Sequence, residues 1–304
     1  DLGAGDDFAS GGAGADDIDL GPGAGPLSDT LDDLDGDKIA GFGFDDTLVI
    51  EGSGIARQSM VFTPNGTSGA TLEIDGRVLN FEGDFSKGDF MAVSRGGDTT
   101  VTFESYLPTL RESRPVDPAA INGIANELFL TGDGSTQFML EFKSSGAAFR
   151  NTLGVYRVEA DGTIGDVEIV FANTANVPRS KRTVDLGTPD EGERIGLFLI
   201  QDGFNEYGRL SNRLSFVDAS GDVADLDDGV APILHHARRG DLTTTPIFHS
   251  FATLNPGDAI QVLSGVAPGG QELLIGFEDL ARGSGDNDFQ DLVIGIRAIP
   301  DLVI

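Results

Sequence analysis

Glycines recur nine residues apart at the start of this chain, at Gly3, Gly12 and Gly21 and again at Gly5, Gly14 and Gly23. Asp7 and Asp16 keep the same step, and Ala9, Ile18 and Leu27 hold an apolar position along it. The middle unit, Gly11-Gly12-Ala13-Gly14-Ala15-Asp16-Asp17-Ile18-Asp19, fills every fixed position of the pattern G-G-x-G-x-D-x-U-x. So short a period leaves few folds open. One unit cannot bury its apolar residue alone, so successive turns must stack. The glycines permit tight left-handed turns and leave backbone carbonyls exposed. The aspartate supplies a hard oxygen, and the apolar residue starts a short inward-facing strand. Stacking brings carbonyls and carboxylates of neighbouring turns around one calcium ion. Asp7, Asp16, Gly12 and Gly14 are the expected metal-site residues, the aspartates through their carboxylates and the glycines through exposed carbonyls. Gly25 stands where the next aspartate would fall, so the stack is expected to end at Leu27.

Residues 1–27 closely resemble the repeat of the RTX family, calcium-binding proteins exported by type I secretion. That resemblance implies an extracellular or cell-surface protein. The same run also suits a flexible Gly/Asp-rich linker, or turns that need further repeats upstream to bind. The chain opens inside the repeat and without an initiator Met, which reads as part of something longer.

Charge bears on the partners. Acidic residues outnumber basic ones 50 to 20, for a formal net charge of −30 over 304 residues. Nucleic acid and anionic membrane surfaces are poor partners for such a polyanion. With no cysteine and three histidines, disulfides, thiolate chemistry and zinc–sulfur sites are excluded, and imidazole-based metal centres are disfavoured. No apolar run approaches the roughly 20 residues that span a bilayer. Glycine and proline, 43 and 13 in number, favour short strands and many turns over long helices.

Three parts are expected: the repeat at 1–28, a small β capping module at 29–104, and a β-sandwich at 105–304. In the module, Thr71–Ile74 and Arg77–Phe81 flank Asp75-Gly76, a strong hairpin signal. Leu48–Ile50, Phe90–Val93 and Thr99–Phe103 read as further strands. Asp33, Asp35 and Asp37 alternate around Gly36, a spacing that suits calcium or a solvated turn equally.

Beyond Tyr106 the prolines Pro108, Pro115 and Pro118 mark a linker, and Asp117-Pro118 reads as the cap of a short helix to Asn126. Nine strand-like segments then follow, at 137–143, 152–159, 167–171, 194–200, 214–218, 247–252, 259–263, 272–277 and 292–298. Short strands separated by Gly/Asp turns predict a jelly-roll-like sandwich, so the chain as a whole reads as all-β with one short helix.

The densest chemistry lies near the C-terminus. Gly276-Phe277-Glu278-Asp279-Leu280 is followed, past Gly283 and Gly285, by Asp286-Asn287-Asp288-Phe289-Gln290-Asp291. Carboxylates so crowded repel unless a cation neutralises them. Hard oxygen donors with no competing sulfur or imidazole favour calcium. Phe277 and Phe289 are placed to pin the loop, with Glu278 and Asp279 closing its shell. The two motifs resemble a family of unknown function that recurs at the ends of large RTX and surface proteins. Phe149–Tyr156 and Phe198–Gly203 share that likeness, which spans roughly 105–300 and implies a secreted β-sandwich with a calcium-stiffened loop. An unoccupied acidic loop is the bland alternative. The final Asp301-Leu302-Val303-Ile304 resembles the ends of type I secretion substrates.

Catalytic signals are weak. His235 and His236 are adjacent, so in a strand they face opposite ways. H-E-x-x-H, G-x-S-x-G and phosphate-loop motifs are absent from the sequence. Asp117-Pro118 also matches the dipeptide at which some RTX modules cleave themselves, though helix capping explains it. The expected function is a non-catalytic, calcium-dependent structural or adhesive module that folds after export. The alternatives are a calcium-dependent lectin-like domain binding extracellular glycans and the accessory end of a secreted enzyme. A further copy or subunit of a surface assembly is another possible partner.

Overall fold

In a computed structural model the protein is all-β with one short α-helix, α1 (Gly203–Tyr207), among the residues described: 5, 7–55, 59–95, 97–118, 130–270, 272–281 and 285–299. The helix expected after Asp117 and the terminal Asp301–Ile304 lie outside the described residues. No helix among the described residues is long and apolar enough to cross a membrane. The chain divides into two compact units.

The first unit, mainly residues 1–107, carries β1 (Asp17–Asp19), β2 (Pro26–Thr30), β3 (Lys38–Ala40), β4 (Thr47–Glu51), β5 (Met60–Pro64), β6 (Ala70–Ile74), β7 (Arg77–Phe81), β8 (Gly88–Arg95) and β9 (Asp98–Ser105). They form two sheets, β1-β3-β7-β6-β5 and β2-β4-β9-β8. Successive early strands alternate between the sheets, as a nine-residue half-turn requires. Ile18 pairs in parallel with Ile39, while Ala9 bridges Leu27 and Leu27 pairs with Leu48. Leu27, Ile39 and Leu48 are fully buried and join Phe81, Phe85, Phe90 and Phe103 in one core. At Asp75-Gly76 both residues take positive φ, 47° and 80°, as the hairpin signal requires.

Parallel stacking does not stop at Leu27, as the missing aspartate at Gly25 suggested. It continues through Glu51 in β4. The pairing depends on the inward apolar residue and on backbone amides, not on the aspartate. A three-residue insertion hides the continuation: Asp37-Lys38-Ile39 and Asp46-Thr47-Leu48 repeat the D-x-U step, again nine residues apart.

The second unit holds the longer sandwich strands. Its five-stranded sheet runs β13-β10-β21-β20-β19, built from β10 (Gln137–Ser144), β13 (Thr183–Gly187), β19 (Val262–Val266), β20 (Leu273–Phe277) and β21 (Leu292–Ile299). A seven-stranded sheet runs β17-β16-β15-β12-β11-β14-β18, from β11 (Thr152–Val158), β12 (Ile164–Phe171), β14 (Arg194–Ile200), β15 (Leu214–Val217), β16 (Ile233–His236), β17 (Gly240–Asp241) and β18 (Ile247–His249). Phe142 of β10 meets Phe171 of β12 edge-on at 5.8 Å. The far face of the larger sheet packs Tyr156, Phe198, Phe216 and Phe251 into a second core. Two glycines make this face possible. Gly154 lies opposite Phe198 and Gly196 opposite Tyr156 across the β11–β14 ladder. A Cβ at either glycine would overlap an aromatic ring. Histidines 235 and 236 fall on β16 with opposite burial, His236 inward at 4 % exposure.

Candidate metal centre

Strands β20 and β21 are neighbours in one sheet, and residues 278–291 connect them. Phe277 and Phe289 are both fully buried and fix this connection at two points. Phe289 takes φ 55°, where a bulky side chain costs about 1–2 kcal/mol, and its complete burial offsets that strain. Asn287 shares the left-handed region at φ 54°.

This path brings Glu278, Asp288 and Asp291 together. One carboxylate oxygen of each lies within 4.8 Å of the others, and all three residues are buried. Asp288 also belongs to a second triad with Glu112 and Asp286, both exposed. Several donors hold the frame: Asp279 N–H reaches Asp291 Oδ2 at 2.8 Å, Ser113 N–H reaches Asp288 Oδ2 at 2.7 Å, and Gln290 N–H reaches Asp288 Oδ1 at 3.1 Å. Gln290 Nε2 in turn donates to Glu112 Oε2 at 2.6 Å. Two oxygens are left over. Glu278 Oε2 and Asn287 Oδ1 are buried and unpartnered, which in a protein interior calls for a donor or a cation. A side chain at Gly285 would run into the Glu278 carboxyl, so the glycine keeps that space open.

The electrostatics agree with the geometry. Burial, then repulsion from Asp286 and its acidic neighbours, pushes Glu278 up to about 7. Asp291 is pushed up to about 8 by burial and by the charges of Asp279, Glu278 and Asp288. Burial likewise raises Asp279 and Asp288. Such groups must hold protons or a cation. All the side-chain donors here are oxygens, so the residues fit a hard divalent ion better than a soft one.

The expected site residues Glu278, Asp279, Asp286, Asn287, Asp288 and Asp291 are thus gathered in one place. Asp279 acts through its backbone amide and takes a hydrogen bond from Asn151. Nothing in the local sequence marks Glu112, which lies far upstream. Asn151 lies in Phe149–Tyr156, a stretch that carried only the likeness to the unknown-function family.

The first unit behaves differently. Asp33, Asp35 and Asp37 do not converge. Asp33 accepts from the Thr30 hydroxyl, Asp35 from Val78 N–H, and Asp37 from Asp16 N–H at 2.8 Å. Among the described residues no three acids of this unit come within metal-binding reach, Asp7 and Asp16 included. The carboxylates instead tie turns together. Asp29 accepts from Gly12 N–H, Asp37 from Asp16 N–H, and Asp46 from Gly25 and Gly43 N–H. Gly12 and Gly14 take positive φ as the repeat requires, at 74° and 127°. Asp16 Oδ2 and Asp37 Oδ2 remain buried without a partner.

Residues 190–298 match the family described as a domain of unknown function (DUF4114). The matched segment runs from just before β14 almost to the end of β21 and takes in the whole acidic connection. Asn151 and Glu112 lie outside it, so part of the centre's support comes from sequence before the match. Comparison with curated proteins and with solved structures finds no match.

Proposed function

We propose that this chain is a calcium-dependent, non-catalytic structural or adhesive module of an exported, RTX-type surface protein, in which the ion completes the fold after export. The carrying observation is the buried triad Glu278, Asp288 and Asp291 with an unpartnered Glu278 Oε2. Three buried carboxylates in contact are costly when ionised, and removing that cost is what a divalent cation does. A net charge of −30 enlarges the effect by adding repulsion across the whole chain. Free calcium inside cells is scarce and outside is abundant, so the polyanion stays open before export and compacts after it. The D-x-U steps at Asp7, Asp16, Asp37 and Asp46 support the nonapeptide reading and extend it beyond its apparent end.

Thermal melting of the purified chain in excess chelator, in calcium and in magnesium tests this. Calcium raises Tm by several degrees over chelator, and magnesium by less, because it demands a smaller octahedral shell. Identical melting in chelator and calcium overturns the reading.

A further inference from the structure

In so acidic a chain, one region reverses sign. No acid occurs between Glu168 and Asp185, a stretch that carries Arg179, Lys181 and Arg182. Residues 203–213 add Arg209 and Arg213 against the single Glu206, so five of the 20 basic residues sit in two short segments. The fold brings those segments together. Between the end of β12 and the segment after α1 lies a cavity of about 370 Å³, bordered by Lys181, Arg209, Asn173, Asn176 and Asn212, with Phe204 on its apolar side. No carboxylate lines it.

The polar groups there are chiefly donors. Among the described residues neither Lys181 nor Arg209 has an ion pair or a side-chain hydrogen bond. Asn173 Oδ1 already accepts from Ala175 N–H and Asn212 Oδ1 from Ile169 N–H, so each amide has its NH₂ left to donate. Two cations and two free amide donors around an apolar floor complement a ligand rich in oxygen acceptors and negatively charged. The volume matches one or two sugar rings rather than a bare inorganic ion. Sugar hydroxyls pair well with such side-chain amides.

We propose that this cavity binds an anionic saccharide, one bearing carboxylate or sulfate groups, with Lys181 and Arg209 as the charge-reading residues and Asn173 and Asn212 contacting hydroxyls. The site shares no residue with the carboxylate centre and does not depend on the calcium reading.

Isothermal titration of the full chain, with calcium present throughout, tests it. The probes are a galacturonate tetramer (carboxylate), a sulfated galactose tetramer and a neutral galactose tetramer. One anionic probe is expected to bind roughly tenfold or more tighter than the neutral one and to weaken as salt rises from about 0.05 to about 0.3 M. Which of the two binds decides between carboxylate and sulfate. The double variant Lys181→Gln/Arg209→Gln should lose about tenfold or more of that affinity at unchanged Tm, since both side chains are exposed. Three results overturn the proposal: no binding of either anionic probe, equal binding of the neutral probe, or full affinity in the double variant, which would mean the uronate is held through calcium. Sedimentation supplies a fourth. If the wild type self-associates and the double variant does not, the cavity takes an acidic loop of a second copy instead.

Discussion

The side-chain amide of Asn151 donates to Asp279 Oδ2 at 2.6 Å, and both residues are almost wholly buried. On its other side Asn151 Oδ1 accepts from Asp202 N–H at 2.9 Å. The Asp279 amide holds Asp291, so one asparagine just before β11 positions a carboxylate of the buried Glu278–Asp288–Asp291 cluster more than a hundred residues later. The same segment supports the basic cavity, since Thr174 N–H bonds Asn151 O and Phe204 N–H bonds Arg150 O.

Asn151→Ala leaves a buried carboxylate and a backbone N–H without partners, a loss of about 1–3 kcal/mol. Asn151→Asp keeps the shape but sets one carboxylate against another, and its loss is expected to be at least as large. Denaturant melts of both variants, with calcium titrations of each, check this. A neutral Asn151→Asp variant would show that the contact is not held in solution.

Glu278→Gln separates charge from packing. In chelator the glutamine removes one repelling charge from a buried cluster, so Tm is expected to rise. At pH 8 the relieved cost is on the order of 3 kcal/mol, given a carboxyl raised to about 7. In calcium the same change removes a ligand, and affinity falls by at least about tenfold. Opposite signs under the two conditions are the signature of a cation site. A loss of stability in both would make Glu278 a packing residue.

Acidity acts through the same groups. Glu278 and Asp291, raised to about 7 and about 8, keep protons in the folded chain that the unfolded chain has already released. Without a cation, stability therefore falls as pH climbs from roughly 4.5 to 8. Carboxylates held below their ordinary value, such as Asp133 and Glu141, titrate under that window and do not cancel it. Calcium requires the ionised ligands, so it displaces the protons and its stabilising effect grows with pH. Melts from about pH 6.5 to pH 8, above the range in which buried His249 opposes the trend, should slope downward more steeply in chelator than in calcium, Glu104 keeping its share of the slope in both. An upward slope in chelator would remove the buried acids as its cause.

Much of this was legible locally and some was not. Alternating apolar residues and the Asp75-Gly76 turn mark β7 to the residue and β6 to within one, and the crowding at Asp286–Asp291 marks the centre. Strands β3, β5, β13, β16 and β17 are too short or too polar to read alone. They exist because a neighbour pairs with them, as β13 does with β10 and β16 with β15. Asn151 and Glu112 are brought to the centre by topology, which no local pattern encodes. Read locally, the repeat ends at Leu27 because three inserted residues break its phase, and Asp37 reads as one of a trio with Asp33 and Asp35. In the fold it occupies the place of Asp7 and Asp16, two residues before an inward aliphatic.

That position sets the last expectation. Asp37 and Asp46 stand nine residues apart, are both buried, and each accepts a backbone N–H from the preceding turn. They differ in what remains. Asp46 has both oxygens bonded, to Gly25 N–H at 3.0 Å and Gly43 N–H at 2.7 Å, whereas Asp37 Oδ2 is unpartnered beside the equally unpartnered Asp16 Oδ2. Burial raises both carboxyls, and at Asp37 the charges of Asp16, Asp29 and Asp33 add repulsion. Asp46 is therefore a clamp, while Asp37 keeps one buried oxygen unpaired and is the carboxylate expected to respond to calcium. Asp46→Asn should cost about 1–3 kcal/mol equally in chelator and in calcium, because an amide cannot accept both N–H groups. Asp37→Asn should stabilise in chelator and shrink the gain that calcium brings. Calcium titrations followed by near-ultraviolet circular dichroism and by melting distinguish the two. An unchanged calcium response in Asp37→Asn would confine cation binding to the connection between β20 and β21 and leave the stacked turns held by their hydrogen bonds alone.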